Sequence, residues 1–373
     1  MKRKVLFLTL CFDTGGTEKA TFDIITHLNP EKYDITLMSM YGWGYFWDNL
    51  PSYVHKKCFF SRYIRGAIRF INHAPAWLVY RMFIHDKYDV EIACGDNHPS
   101  YVINASPNKH SIKIAWIHMD VIARGYRGWG MRTAWGRAHF YNHFDHIVNV
   151  SQECERKFQE RFGTYLPTCV IYNLIDTDFI QKKASQKPDY VLPEGRFNIV
   201  CIGRLASQKG FDRLIEAYHH LKEKYTLPPC RITILGREQD QTFAKLNATI
   251  QSYHLEDEIV LAGYFDNPYA ILKQADLFLL SSRDESFALV VGEAMALNVP
   301  VMATRCTGPV ELLENGQKGL LAENSTQGIE DGLKKILLEP DTMNWLRSID
   351  NSRRFDWHQQ VHQIEALLDE PLH

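Results

Sequence analysis

The chain has 373 residues, of which 45% are hydrophobic and 12% aromatic, and its formal net charge is −2. That is enough apolar material for two domains of about 150–200 residues, each with its own core. A charge this close to zero provides no global field that would favour nucleic acid, and no stretch reaches the roughly 18 apolar residues that span a bilayer. The eight cysteines are scattered without a Cys-x2-Cys pair, which favours a reducing, cytoplasmic compartment.

The first half of the chain alternates apolar runs of strand length with amphipathic stretches such as 18–28. The apolar runs lie at 4–10, 33–40, 88–94, 112–118 and 146–151. This alternation is typical of a doubly wound, Rossmann-like α/β domain. The charged start of the chain is interpreted as the first strand rather than a signal peptide, because its apolar run is short and leads into a glycine turn.

A polar, lysine-rich stretch at 182–188 ends in proline and is the predicted linker. The same alternation then resumes, with helical patterns at 211–224 and 241–253. The predicted strands of this second half lie at 197–202, 231–235, 259–263, 276–281, 299–303 and 319–322. We therefore predict two Rossmann-like domains, at 1–185 and 186–350, followed by a terminal segment (351–373) whose apolar spacing predicts a helix over 356–368.

Two predicted strand ends of the second domain carry charged residues. Gly203, Arg204 and Lys209 follow one apolar run, while Glu285 and Glu293 follow another about eighty residues later. Carboxyl ends of parallel strands bind ligands, and cations beside glycines and helix N-termini stabilise a departing diphosphate. A carboxylate can accept hydrogen bonds from two sugar hydroxyls. Together these residues predict a nucleotide-sugar site.

The segment 203–210, Gly-Arg-Leu-Ala-Ser-Gln-Lys-Gly, followed by Glu285-x7-Glu293, resembles the retaining glycosyltransferases of family 4, also called group 1, which have the GT-B fold. The resemblance extends to 15–19, Gly-Gly-Thr-Glu-Lys, which is similar to the family's glycine loop. It also includes 116–120, Trp-Ile-His-Met-Asp, where the family has a histidine. These segments are spread over nearly the whole chain.

The resemblance implies that the first domain binds the acceptor, that the second binds the donor across a cleft, and that the terminal helix crosses back onto the first domain. It implies that Arg204 and Lys209 neutralise the diphosphate, that Glu293 holds the ribose, and that Glu285 and His118 surround the sugar. No metal is implied, because Arg204 and Lys209 supply the positive charge beside the diphosphate, and no cofactor is implied, because the sugar nucleotide is itself the substrate. The implied donor-binding residues are Gly16, Gly203, Arg204, Lys209, Tyr264, Glu285, Ser286, Phe287, Ala288, Leu289 and Glu293.

Two local features qualify this picture. Ser286 and Ala288 stand where glycine is frequent in the family, so the backbone there has less conformational freedom. The Asp-x-Asp sequence at 176–178 could be mistaken for a metal site, but its position at the domain junction favours a helix cap.

Two stretches of the first domain, 56–70 and 124–137, are rich in basic and aromatic residues. Such stretches suit contact with an anionic membrane surface and a diphosphate-linked lipid acceptor. The alternative is a solvated helix face whose aromatic side chains turn to the core.

The sequence thus predicts a cytoplasmic, metal-independent, retaining glycosyltransferase that transfers a hexose or N-acetylhexosamine from a nucleotide diphosphate donor, with a UDP-linked donor favoured. The acceptor would be a glycan or a polyprenyl-diphosphate-linked glycan in surface polysaccharide assembly. A nicotinamide dehydrogenase is disfavoured because the Gly-x-Gly-x2-Gly spacing and an acidic residue after the second strand are missing. A glycan phosphorylase is disfavoured because no pyridoxal-bearing lysine motif is found and the chain is short for that class. A nucleotide-sugar epimerase on the same fold, and a non-catalytic subunit that binds UDP without turnover, remain as alternatives.

Overall fold

The computed structural model describes residues 2–62, 64–67, 71, 74–95, 98–118, 139–239, 241–351 and 354–371. The chain divides into two compact units, which are described separately. The first unit contains residues 1–174 and 358–373, and the second contains residues 175–357.

The first unit contains a parallel sheet whose strand order among the described residues is β3-β2-β1-β4-β5-β6-β7. The strands are β1 (Arg3–Thr9), β2 (Tyr33–Tyr41), β3 (His55–Phe60), β4 (Val90–Cys94), β5 (Ile112–Ile117), β6 (His146–Asn149) and β7 (Thr168–Val170). Within the described part of this unit, the helices between the strands are α1 (Gly16–His27), α2 (Tyr45–Asp48), α3 (Ala76–Phe83), α4 (His98–Ile103) and α5 (Gln152–Phe162).

The second unit contains a parallel sheet of order β10-β9-β8-β11-β12-β13. Its strands are β8 (Phe197–Ile202), β9 (Cys230–Leu235), β10 (Ile259–Gly263), β11 (Leu277–Leu280), β12 (Val301–Thr304) and β13 (Leu320–Ala322). Its helices are α6 (Thr177–Ala184), α7 (Phe211–Lys224), α8 (Thr242–Ser252), α9 (Tyr269–Leu272), α10 (Leu289–Ala296), α11 (Thr307–Leu312), α12 (Thr326–Leu338) and α13 (Pro340–Ser348).

The last helix, α14 (Trp357–Leu368), belongs to the first unit from His358 onward. It is held there by polar contacts from its C-terminal end. The Tyr33 hydroxyl donates to Asp369 Oδ1 over 3.0 Å, Lys32 forms an ion pair with Asp369, and His146 Nε2 lies 2.8 Å from Glu370 Oε2.

Central strands are mainly apolar because helices cover both faces of a parallel sheet. In β1, Val5 to Phe7 are fully buried, and in β11 the same holds for Leu277 and Phe278. Helix α7 buries one stripe of side chains against the second sheet, including Leu214, Tyr218 and Leu221, as its 3.6-residue periodicity requires.

The predicted alternation is confirmed in both halves, and the two parallel sheets are of the expected class. Two strands were missed. β3 lies at one edge of its sheet, and its first three residues are exposed lysines and a histidine, so no apolar run is visible. β7 lies at the other edge and has only three residues. For 56–60 the alternative interpretation is wrong about the helix, because these residues belong to a strand, but the side chains of Phe59 and Phe60 do pack against the core as it expected.

The boundary between the units falls between Leu174 and Ile175, earlier than the predicted boundary at 185/186. Helix α6 lies in the second unit because it packs there. The Gln181 side chain donates to the backbone oxygen of Ala296 over 2.7 Å, and Ile175 packs closely against Gly292. None of the helices formed by the described residues combines the length and apolar character needed to cross a membrane.

Candidate functional site

The charged loops of the second unit lie at the point where its strand order reverses. From β8 the chain proceeds outward through β9 and β10, and then returns to the other side of β8 as β11. β8 and β11 are parallel neighbours, with Ile199 opposite Leu277. Their following loops, 203–210 and 281–288, therefore emerge side by side, at a topological switch point of the kind where open α/β sheets bind ligands.

These two loops bring together two residues predicted from the sequence. Lys209 Nζ lies 2.5 Å from Glu285 Oε1, and their side chains are only 17% and 11% exposed. The Ser282 hydroxyl donates to the same carboxylate oxygen over 2.8 Å. The ion pair is thus largely shielded from solvent, and Glu285 is held by a cation from one loop and a hydroxyl from its own.

A glycine makes this approach of the loops sterically feasible. Gly210 has φ +66°, and a Cβ atom there would lie 2.1 Å from the backbone oxygen of Ser281. Any larger residue at 210 would push the loops apart. Gly203 has a milder role, since its missing side chain leaves room for the aliphatic part of Lys209.

The loop after Glu285 is buried and contains a strained residue. Ala288 has φ +65° and ψ +66°, a left-handed conformation that is uncommon for alanine. Its neighbours Ser286, Phe287 and Leu289 are all buried. The alanine therefore adopts the glycine-like conformation that the family pattern predicts at this position, without the freedom of glycine.

Glu293 lies on α10, the helix that follows this loop, and is only 4% exposed. The Tyr269 hydroxyl on α9 donates to Glu293 Oε1 over 3.0 Å. Sequence analysis missed Tyr269, because it is 24 residues away along the chain and no local pattern links the two residues.

Two further predicted residues of the second unit are more exposed. Arg204 is exposed and donates from Nη1 to Gln239 Oε1 over 3.0 Å. Tyr264 is 40% exposed, and the guanidinium carbon of Arg237 lies 4.5 Å from the centre of its ring. Both therefore contact the loop after β9 rather than the Lys209–Glu285 pair.

Gly16 and His118 belong to the first unit. Gly16 is the first residue of α1, and a Cβ atom added there would meet nothing within 4 Å among the described residues. The Glu18 carboxylate lies beside Gly15. This helix start therefore already has a negatively charged group next to its N–H donors.

His118 follows β5, and its Nε2 is buried without a hydrogen-bond partner in the structure as described. Burial lowers the pKa of the His118 imidazole to about 4, so the ring is neutral at pH 7. Its neighbours 119–120 and the second basic stretch, 124–137, lie outside the described residues.

The Asp-x-Asp sequence is a helix cap, as predicted. The Asp176 side chain accepts a hydrogen bond of 2.9 Å from the Phe179 backbone N–H at the start of α6. Within the part of the chain that the structure describes, no three His, Cys, Asp or Glu side chains come together as a metal site would require.

Comparison with known proteins agrees with the geometry. Residues 14–179 match the family model described as Glycosyltransferase Family 4, and residues 182–353 match the one described as Glycosyl transferases group 1. The chain belongs to glycosyltransferase family 4 (group 1). The sequence-based assignment of the family is confirmed, and the two matches meet close to the boundary between the structural units.

Curated relatives of this family 4 chain include an uncharacterized glycosyltransferase of Haemophilus influenzae, which is 24% identical over 99% of both chains. The chain is also 32% identical to the N-acetylgalactosamine-N,N'-diacetylbacillosaminyl-diphospho-undecaprenol 4-alpha-N-acetylgalactosaminyltransferase of Campylobacter jejuni. That alignment covers 45% of this chain and 44% of the relative, so it spans less than half the length of each protein.

Among solved structures, the Anabaena protein Alr3699/HepE in complex with UDP-glucose superposes with a TM-score of 0.74 and 19% identity, and the match covers 98% of this chain and 99% of that one. At this level of identity the similarity concerns the fold. Together with the two parallel sheets, it confirms the predicted GT-B class.

Proposed function

We propose that this chain is a retaining, metal-independent glycosyltransferase that transfers a hexose or N-acetylhexosamine from a UDP-linked donor. The acceptor is a glycan, free or linked to a polyprenyl diphosphate, in surface polysaccharide assembly. The observation that carries the proposal is the Lys209–Glu285 ion pair at the switch point of the second sheet. The buried carboxylate of Glu293 follows on the next helix.

The charges in this site suit a sugar diphosphate. Lysine has three N–H donors, so Lys209 can keep its contact with Glu285 and still donate to phosphate oxygens. Helix α7 begins at Phe211, two residues after this lysine, and its N-terminus adds a partial positive charge. Arg204, on the same loop, is exposed and can turn toward the ligand. The leaving diphosphate would thus be stabilised by fixed cations.

In the reaction we propose, the bond from the sugar C1 to the diphosphate oxygen breaks, and a bond from C1 to the acceptor oxygen forms on the same face. The acceptor proton passes to the departing phosphate oxygen. Glu285 and the neutral His118 position the sugar by hydrogen bonding, and Glu293 holds the ribose hydroxyls. None of these three residues has to form a covalent intermediate with the sugar.

The relatives support the choice of substrates. The name of the Campylobacter jejuni relative describes transfer to a diphospho-undecaprenol-linked sugar, and the Anabaena neighbour was crystallised with UDP-glucose. All eight cysteines are unpaired, as expected for a reducing compartment. These observations favour a UDP-sugar donor and a lipid-linked glycan acceptor in the cytoplasm.

Saturation-transfer NMR tests this proposal. Purified protein in EDTA is mixed with UDP-, GDP- and TDP-sugars, and the wild type is compared with Glu293→Ala and with a surface control, Glu256→Ala. We expect one UDP-sugar to bind without metal, Glu293→Ala to weaken it at least about tenfold, and the control to bind normally. Binding that requires manganese, or that is unaffected by Glu293→Ala, would contradict the proposed site.

The same preparation separates the alternatives. A glycosyltransferase releases UDP faster when acceptor is added, whereas an epimerase converts the sugar nucleotide without acceptor and releases no UDP. A non-catalytic subunit binds UDP without turnover. The expected outcome is release of UDP that depends on the acceptor. Conversion of the donor to an isomer without release of UDP would show that the chain is an epimerase.

We also propose peripheral contact of the first unit with an anionic membrane. The described part of the first basic stretch includes Lys56 and Lys57 on the edge strand β3. On the nearby helix α3, Trp77 is 55% exposed beside the exposed Arg81, a pairing that suits a lipid interface. Replacing Arg124, Arg127, Arg132 and Arg137 together by Glu should abolish flotation with anionic vesicles while UDP affinity is retained. Unchanged flotation would remove this part of the proposal.

A further inference from the structure

The two loops that hold Lys209 and Glu285 are connected by hydrogen bonds in both directions. The Arg283 backbone N–H donates to the Gln208 oxygen over 2.8 Å, and the Gln208 side chain donates to the Asp284 oxygen over 2.9 Å. The Ser281 hydroxyl donates to the backbone oxygen of Lys209 itself over 2.8 Å. The backbone positions of the predicted cation and carboxylate are therefore coupled.

The side chain of Arg283 extends this connection. Its Nη1 and Nη2 donate to the two carboxylate oxygens of Asp212, on the first turn of α7, over 2.8 and 2.7 Å. Nη1 also donates to the Ser207 oxygen over 2.5 Å. The guanidinium of Arg283, on the loop that carries Glu285, thus binds one residue that precedes Lys209 in the chain, Ser207, and one that follows it, Asp212.

The backbone around Arg283 also accepts hydrogen bonds from Asn324 and from Arg213, the residue after Asp212 on α7. Asn324 Nδ2 donates to the Arg283 oxygen over 2.9 Å, and Arg213 Nη2 donates to the Ser281 oxygen over 2.9 Å. Arg213 also binds the Asn324 side chain over 2.9 Å. The loop that carries Arg283 is therefore held both by α7, through Arg213, and by Asn324 from another segment.

The Arg283 and Asp212 side chains are 37% and 54% exposed, and exposed ion pairs add little to stability. A bidentate arginine–carboxylate contact nevertheless imposes a defined geometry that a lysine cannot reproduce. We therefore expect the pair to fix the relative position of the two loops and to contribute little to the free energy of unfolding.

We propose that Arg283 and Asp212 are positioning residues for the donor site, which set the spacing of the two loops and so hold Lys209 in place to meet both Glu285 and a diphosphate. This inference rests on the proposed function. The physical reason is the flexibility of the lysine side chain. Because its four-carbon chain can bend, the position of the ammonium group is set mainly by the position of the backbone of Lys209.

A double-mutant cycle tests the inference, with UDP as the probe and isothermal titration calorimetry in EDTA as the measurement. The variants are Arg283→Lys, Asp212→Asn, Lys209→Ala and the double variants that combine Lys209→Ala with each of the first two. The matched control is Arg347→Lys, on α13, because Arg347 forms another exposed Arg–Asp pair of the same unit, with Nη2 3.3 Å from Asp276 Oδ1.

We expect Arg283→Lys and Asp212→Asn each to weaken UDP binding about 5–10-fold in the presence of Lys209, and less than about twofold in the Lys209→Ala background. Arg347→Lys should leave the UDP affinity unchanged. The melting temperatures of Arg283→Lys and Arg347→Lys should be alike, since both variants alter an exposed pair.

Two outcomes would overturn the inference, and a third would overturn the proposed function. UDP affinity within twofold of wild type in Arg283→Lys would show that the pair does not act on the site. Equal losses with and without Lys209 would show a general structural effect. Failure of the wild type to bind UDP, or wild-type affinity in Lys209→Ala, would instead refute the proposed function on which the inference rests.

Discussion

The Tyr269 hydroxyl donates a hydrogen bond of 3.0 Å to Glu293 Oε1, and both side chains are buried. The donor comes from α9 and the carboxylate from α10, on either side of β11 in the chain. A buried carboxylate depends on such a donor for its orientation and its solvation, because little water reaches it.

Removal of this hydroxyl should affect both stability and UDP binding. For Tyr269→Phe we expect the free energy of unfolding to fall by about 1–3 kcal/mol, because a buried acceptor loses a donor. The Kd for UDP should rise about fivefold as Glu293 loses its orientation. Urea unfolding and calorimetry measure the two effects. Tyr225→Phe removes a hydroxyl from a side chain that is 39% exposed and should change neither; an equal effect there would contradict the explanation.

The strain at Ala288 predicts that a glycine at this position stabilises the protein. Its φ of +65° is unfavourable for alanine by about 1–2 kcal/mol, whereas glycine adopts it freely at some cost in the entropy of the unfolded chain. We expect Ala288→Gly to raise the free energy of unfolding by up to about 1 kcal/mol.

A matched control for Ala288→Gly is Ala248→Gly, at an exposed position within α8. There φ is helical, so the same change should lower the free energy of unfolding by about 1 kcal/mol. Opposite signs in urea titrations would support the strain argument, and the same sign at both positions would refute it.

Two glycines near helix starts should differ sharply when changed to alanine. At Gly308 a Cβ atom would lie 2.4 Å from the Phe287 carbonyl carbon, whereas at Gly16 it would meet none of the described atoms within 4 Å. Because the obstacle at Gly308 is backbone, Gly308→Ala should lower the free energy of unfolding by about 1–3 kcal/mol. Gly16→Ala should leave it unchanged within about 0.5 kcal/mol. Thermal and urea unfolding of both variants provide the test.

The buried Nε2 of His118 predicts a pH dependence of stability. Burial lowers its pKa to about 4 in the folded protein, whereas the unfolded chain has a value of about 6.5. Between these values the unfolded state binds the proton and the folded state does not, so stability falls as pH drops from about 6.5 to 4.

We therefore expect the free energy of unfolding to fall from pH 7 to pH 5 by about 1–2 kcal/mol more in the wild type than in His118→Gln, as measured by urea unfolding. His85→Gln, at an exposed position, should retain the wild-type pH dependence. Identical pH dependence of wild type and His118→Gln would show that His118 titrates normally in the folded protein.

Much of the architecture could be predicted from the sequence. Strands that are buried on both faces have nearly continuous runs of apolar residues. These runs predicted β1, β2, β4 and the strands of the second sheet. The edge strand β3 escaped prediction because one side of an edge strand is open to water, and lysines there interrupt the run.

The positions of Lys209 and Glu285 were also predictable, since each follows an apolar strand and the carboxyl ends of parallel strands meet at one edge. Their contact at 2.5 Å follows from β8 and β11 being neighbours. Arg204 shows the limit of this reasoning, because the same loop directs its side chain to Gln239 instead.

By itself, the sequence determined the family, the two α/β units and the two loops of the candidate site, because hydrophobic periodicity and short motifs are local properties. Only the tertiary structure decided that Tyr269 supports Glu293, that Arg283 reaches Asp212, and that Ala288 adopts a left-handed conformation. The physical reason is that hydrogen bonds and steric contacts between distant segments depend on how the strands are ordered and how closely their loops pack, and no local pattern encodes either.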